Sequence, residues 1–209
     1  MDTISGVSIL AFPVMLLVGF LLHPDIVSFE IVHTPEQLVR NFRGNTIWHV
    51  GHLIVAFAIP FIIFAVMHFM HILREKGLWY GIVGGVAGIF GSVALGLDKG
   101  SLCLILSGFD TLPDEQFVGL IPYLQVIIDK AGLLVVNWLF LLIPIGVIIQ
   151  TIGLIKEKYI RRWQGIVIII GLLLLINPDI EIISTVGAVF MIAGFYPLGI
   201  KILKRSGGS

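Results

Sequence analysis

The sequence predicts an all-α integral membrane protein, a bundle of six transmembrane helices with short interfacial helices in its outer loops. Three observations predict it. Hydrophobic residues make up 57% of the 209 and charged residues only 12%, against about 45–50% and about 25% in soluble domains. Mean hydropathy is +1.05. Apolar residues run continuously for about the 20 positions that a helix needs to cross the bilayer, without the alternation of barrel strands. So little charge excludes an ordinary soluble enzyme and a disordered chain. Lys+Arg and Asp+Glu number 13 each, and a net charge of zero offers no field to a polyanion, so no nucleic-acid partner is expected. The single cysteine, Cys103, excludes an intrachain disulfide framework.

The first span is read at Ile4–Leu22. Met1-Asp2-Thr3 lacks the positive start of a cleaved signal, so this span is expected to be a permanent helix. In the outer loop that follows, Thr34-Pro35-Glu36 marks a helix start, with Thr34 as cap and Pro35 in the first helical position. The second span is Ile47–Leu73 and the third runs from Trp79 to about Leu97. The next outer loop, Gly108–Lys130, has a start signal at Leu112-Pro113-Asp114-Glu115. Phe117, Leu120, Ile121, Leu124 and Ile128 then repeat at helical spacing and predict one helix lying along the outer interface. The fourth span is Gly132–Ile155. The fifth, Gly165–Ile176, has about 12 apolar residues, a length that suits a re-entrant hairpin as well as a crossing. Its expected turn is Asn177-Pro178-Asp179, with Trp163 lengthening the other end. The sixth span is Ile182–Leu203. One domain covers residues 1–205, and Ser206-Gly207-Gly208-Ser209 reads as a flexible tail.

Charge sets the orientation. With six spans, Arg74, Lys76, Lys156, Lys158, Arg161, Arg162, Lys201, Lys204 and Arg205 share one side, while Arg40, Arg43, Lys99 and Lys130 lie opposite. Only Asp2, Glu75 and Glu157 among the acids fall on the basic side. The positive-inside rule then places both termini in the cytoplasm and the chain in the inner (plasma) membrane.

The histidines are the candidate chemistry. His49 and His52, three apart, sit about 60° apart on a helix face and are able to meet one ion. His23 ends the first span at the same outer end, and Asp98 is expected to end the third. His49, His52 and Asp98, with His23 or His33 as a fourth ligand, are thus the candidate site for a divalent metal such as zinc. The bland alternative is that these histidines sit at a membrane boundary and bond to headgroups or water. His68 and His71 occupy the inner end of the same span, beside Arg74 and Lys76, and suit anionic lipid headgroups or a second ligand pair. Two haems on this helix fit poorly, because His52 and His68 are about 24 Å and about 160° apart. A single haem on His23 with His49 or His52 is the remaining haem arrangement.

Gly84, Gly88, Ser92 and Gly96 form a four-residue ladder of small side chains on the third span, a face for close helix contact. It serves packing inside the bundle or a homodimer or partner-subunit interface. Asn137 and Gln150 are polar positions of the fourth span, and Pro60 and Pro144 fall near mid-span, where transporters interrupt helices. The leading functional expectation is binding or handling of a small ligand or metal at the outward His/Asp site. A small transporter or permease, a non-catalytic membrane subunit and a single-haem protein are the alternatives.

Leu73-Arg74-Glu75-Lys76-Gly77, Tyr80-Gly81 and Arg161-Arg162-Trp163 carry one further signal. In this layout the chain resembles an uncharacterised prokaryotic multi-pass membrane family of unknown function, with a short basic turn between its second and third spans and a basic-Trp opening to its fifth. The resemblance implies a prokaryotic inner-membrane helical protein and brings no catalytic residues.

Overall fold

The computed structural model describes residues 2–24, 26, 27, 29, 31–129, 131–177 and 180–207, without the side chains of residues 133, 134, 136 and 137. Pro178 and Asp179 of the expected turn, Lys130, the Asn137 side chain and the end of the tail lie outside the described residues.

The described residues are helical, with no strand among them. Seven α-helices of eight or more residues organise the described residues: α1 (Asp2–Leu21), α2 (Pro35–Phe42), α3 (Thr46–Ile72), α4 (Leu78–Ser101), α5 (Leu142–Lys156), α6 (Arg162–Leu174) and α7 (Glu181–Ser206). Among the described residues, five helical stretches are long and apolar enough to cross a membrane: Asp2–Leu21, Thr46–Ile72, Leu78–Phe109, Trp138–Lys156 and Glu181–Ser206. The fifth expected span, α6, has only 13 residues, about 20 Å of helix against about 30 Å of hydrocarbon.

The six apolar helices close into a ring. α1 packs on α3, α3 on α4, α4 on α5, α5 on α6, α6 on α7, and α7 returns to α1. Phe195 of α7 seals the return, with its ring 5.3 Å from Phe12 of α1 and 5.8 Å from Phe69 of α3, centroid to centroid. In lipid such contacts rest on close packing, for which small residues are suited. The α4–α5 seam shows why. A Cβ on Gly84 would stand 2.5 Å from the Gly146 carbonyl oxygen, so both backbones demand glycine there. The small-residue face of α4 is thus used inside the chain. Gly84 meets Gly146 and Gln150, Gly88 meets Val66, and Ser92 is fully buried with its hydroxyl donating to the Gly88 carbonyl at 2.7 Å. The face is filled largely by α3 and α5.

Two sequence expectations are corrected here. Asp98 does not end the third span. α4 continues through a π-helical turn, Leu102–Leu106, to Phe109, so Asp98 is an interior, buried residue of the helix. The expected helix of the second outer loop is broken into Asp114–Val118, Ile121–Leu124 and Gln125–Ile128. Pro122 lacks an N–H and clashes with a continuing helix. The apolar stripe also faces protein. Phe117 and Leu124 join Leu38, Phe42, Trp48 and Leu106 in a second small core over the outer end of the bundle.

That outer cap is held by ordinary local rules. Thr34 caps α2 as predicted, its hydroxyl accepting from Gln37 N–H at 3.3 Å while Gln37 Oε1 accepts from Thr34 N–H at 3.0 Å. Asn45 caps α3 through Trp48 N–H at 3.2 Å. Arg43 then ties the two outer loops, donating to the carbonyls of Phe109, Asp110 and Leu112 at 3.1, 2.9 and 2.7 Å and to Asp114 at 2.9 Å.

Candidate functional site

The outer histidines are positioned by the α1–α3 contact. A Cβ on Gly51 would lie 3.0 Å from the Gly19 carbonyl oxygen. This close approach brings the residue just beyond α1, His23, beside His52 of α3, with ring centroids 4.9 Å apart. The Trp48 ring, one turn earlier, lies 3.9 Å from that of His52, tilted by 36°. His52 is buried, and its Nδ1–H donates to the Trp48 carbonyl at 3.0 Å. A carbonyl can only accept, so Nδ1 carries the proton and Nε2 is left for other partners.

Around these rings lies a cavity of about 20 Å³, lined at its polar end by His23, His52, Lys99 and Glu181. The four side chains come from the end of α1, α3, α4 and the first turn of α7. His23 Nδ1 is 3.5 Å from Glu181 Oε1. Burial pushes the His23 imidazole down to about 4, and the Lys99 ammonium adds to that shift. At neutral pH the His23–Glu181 contact is therefore made by a neutral imidazole.

The other predicted ligands go elsewhere. His49 turns to the cap, where its Nε2 lies 3.2 Å from Asp110 Oδ2. Asp110 also accepts the Gly44 N–H at 2.7 Å and lies 3.6 Å from Arg43. Asp98 lies 3.4 Å from its neighbour Lys99. The structure thus brings His23 and His52 together but gives His49 and Asp98 separate partners. No group of three His, Cys, Asp or Glu side chains able to hold a metal forms among the described residues. The His49–His52–Asp98 centre with His23 or His33 is not assembled. The physical reason is the chain's own competition: Asp110 engages His49 Nε2, and Asp98 lies against Lys99.

At the inner end, His68 is buried and its ring stacks 6.5 Å from that of His71, which receives Arg74 Nη1 at 3.5 Å. Both border a cavity of about 260 Å³ that also meets Asp2, Arg74, Glu75 and Arg205. Charges of both signs face one another there.

Lys99 and Glu181 are cavity residues that the spacing of histidines did not point to. Their signal was position: two charges at the same outer end of spans as His23 and His52. Asp110 and Arg43 were visible only as loop charges, because pairing across 61 to 71 positions leaves no local pattern. No family model, curated protein or solved structure matches the chain.

Proposed function

We propose that the protein crosses the inner (cytoplasmic) membrane six times, with both termini inside, and handles a water-sized polar ligand at its outer end between His23, His52, Lys99 and Glu181. One observation carries the ligand reading: two imidazoles, a lysine and a carboxyl group from four chain segments border one cavity of about 20 Å³. A space of this size accommodates one water-sized species and is too small for a metabolite. Ionisable groups held inside an apolar bundle are costly and are characteristic of ligand and proton sites. The separate engagement of His49 and Asp98 favours this reading over a metal or haem centre.

The six-crossing reading draws on the positive-inside distribution and on the place of α6 in the ring between α5 and α7. Tyr159→Cys and Ile180→Cys, each in a Cys103→Ser background, flank α6. They should label from opposite sides of the membrane; labelling from one side would reject a complete crossing. For the site, histidine resonances of the protein in micelles are followed through a pH titration. The Lys99 ammonium adds to the lowering of the His23 imidazole, so Lys99→Gln should move the His23 curve upward. A His23 curve that stays in place, or stoichiometric metal in the purified protein, would overturn the reading.

A further inference from the structure

A cavity of about 1040 Å³ lies at the opposite end of the molecule, between the C-terminal end of α5, the N-terminal end of α6 and α7. Lys156, Lys158, Arg161, Arg162 and Lys201 border it, and no acid among the described residues does. Glu157, between the two lysines in sequence, is not part of the lining. The contrast with the neighbouring His68/His71 cavity is direct, because there Asp2 and Glu75 offset the cations.

The cations have uneven duties. Lys156 donates to the Tyr80 hydroxyl and lies 4.8 Å from the centre of that ring. Lys201 donates to the Tyr159 carbonyl at 3.2 Å. Lys158, Arg161 and Arg162 form none of the ion pairs found among the described residues. Lys158 also stands where a glycine would be unstrained. α5 ends in a turn with Tyr159 N–H bonded to the Leu154 carbonyl at 2.9 Å and Lys158 N–H to that of Ile155 at 3.1 Å. This pattern needs a left-handed residue, usually glycine, and Lys158 adopts φ 59°. A charged side chain is kept at a position whose backbone geometry disfavours it.

Below the charges the wall turns apolar, through Ile155, Trp163 and Leu198. Trp163, Ile166, Ile170 and Leu173 of α6 are all more than a third exposed. At spacings of three and four they make one uncovered stripe that leads out of the cavity along the helix. The cavity is thus basic at its mouth and continuous with a hydrocarbon track about 15 Å long. The shortness of α6 completes the picture. A helix of 13 residues leaves its end below the headgroup level unless the bilayer thins or a polar group descends to meet it.

We propose that this groove binds an anionic phospholipid of the cytoplasmic leaflet. Its phosphate would be received by Lys158, Arg161 and Arg162, and an acyl chain would lie along the exposed face of α6. The inference rests on the orientation proposed above. A charged headgroup matches the lining, a phosphate at a helix N-terminus gains from the helix dipole, and basic pockets between membrane helices on the cytoplasmic side suit such headgroups.

The test uses the full-length protein in detergent and compares phosphatidylglycerol, phosphatidylcholine and inorganic phosphate as ligands, with binding read by native mass spectrometry and by shift in melting temperature. Phosphatidylglycerol should bind more tightly than phosphatidylcholine. Arg161→Gln with Arg162→Gln should weaken it by about 25-fold, and Lys158→Gly by about fivefold, at about one basic contact each. Lys158→Gly relieves the left-handed strain, so it should melt no lower than the parent; loss of binding in that variant is not a loss of fold. Equal affinity for the two lipids, or unchanged affinity in both variants, would overturn the proposal. A phosphate-only response of the same size would make the groove a soluble-anion site and overturn the lipid assignment. Tyr159→Cys separates the orientation from the site: labelling from outside would reject the orientation whatever the lipid result.

Discussion

His49 Nε2 lies 3.2 Å from Asp110 Oδ2, and this contact assigns the two histidines of the α3 entrance to different tasks. His49 belongs to the outer cap, while His52, one turn deeper, belongs to the bundle and faces His23.

The cap contact predicts a large effect from a single carboxylate. Asp110 meets His49, the Gly44 N–H and Arg43 at once. Asp110→Ala strands two partly buried partners, and losses of this kind cost about 1–3 kcal/mol, more where a charge is involved. Thermal unfolding in detergent should show a loss of about 3 kcal/mol. Asp114→Ala, whose side chain is 95% exposed, should cost less than about 1 kcal/mol. Equal effects of the two would show that the buried contacts of Asp110 do not hold the cap.

A pH dependence follows from His23. Its ordinary value of 6.5 is lowered to about 4 in the folded protein, where Lys99, His52 and Glu181 face it around the cavity. Between those values the unfolded chain binds a proton that the folded chain refuses. The stabilisation is therefore complete above pH 6.5 and is lost as pH falls toward 4. The difference corresponds to on the order of 3 kcal/mol. Melting temperatures from pH 4 to 8 should show this slope in the parent and a shallower one in His23→Gln. Parallel curves would remove His23 as its source.

Glycine of the α4–α5 seam and glycine at the end of the α4 ladder should differ sharply in tolerance. An added methyl at Gly146 would meet the backbone of Gly84 and Gly88 in α4, atoms that cannot rotate away. Gly146→Ala should cost about 1–3 kcal/mol or more by overpacking. At Gly96 the nearest obstacle is the tip of Ile59 at 3.4 Å, so Gly96→Ala should fall within about 0.5 kcal/mol of the parent. Similar melting temperatures for the two variants would contradict the packing described for the α4–α5 seam.

The helical membrane class and most helix boundaries were legible because each rests on local sequence. Continuous apolar runs give the five long helices, and Thr34-Pro35-Glu36 gives the α2 start. The extension of α4 past Asp98 was not legible. Asp98 and Lys99 look like an interface in sequence, yet they lie one turn before an apolar stretch, Leu102–Leu106, that carries the helix outward. The cap was half legible: the stripe of Phe117 and Leu124 announced a buried face, but not that the partner would be Phe42 and Trp48 in place of lipid. The candidate site was legible in composition and not in pairing. Spacing places His49 and His52 on adjoining faces, whereas Asp110 takes His49 Nε2 and His52 Nδ1–H turns to a backbone carbonyl. Neither partner has a signature at the histidines themselves.

Gln150 supplies the last prediction, and magnitudes decide its sign. Its amide is fully buried in the ring, and Nε2 donates to the carbonyls of Val66 at 3.1 Å and Gly81 at 3.3 Å, joining α5 to α3 and α4. Its Oε1 has no hydrogen-bond partner. Polar contacts between membrane helices average about 0.6 kcal/mol, and an unpaired buried oxygen costs about 1–3 kcal/mol. Replacing the amide by a thioether of similar shape removes both terms, so Gln150→Met should be neutral or stabilising. Gln150→Ala removes the same polar atoms but leaves a cavity beside Gly84, and large-to-small changes of this kind cost about 2–5 kcal/mol. Unfolding of the two variants in detergent separates the contributions. A Gln150→Met variant as unstable as Gln150→Ala would mean that the hydrogen bonds, and not the volume of the side chain, hold these three helices together.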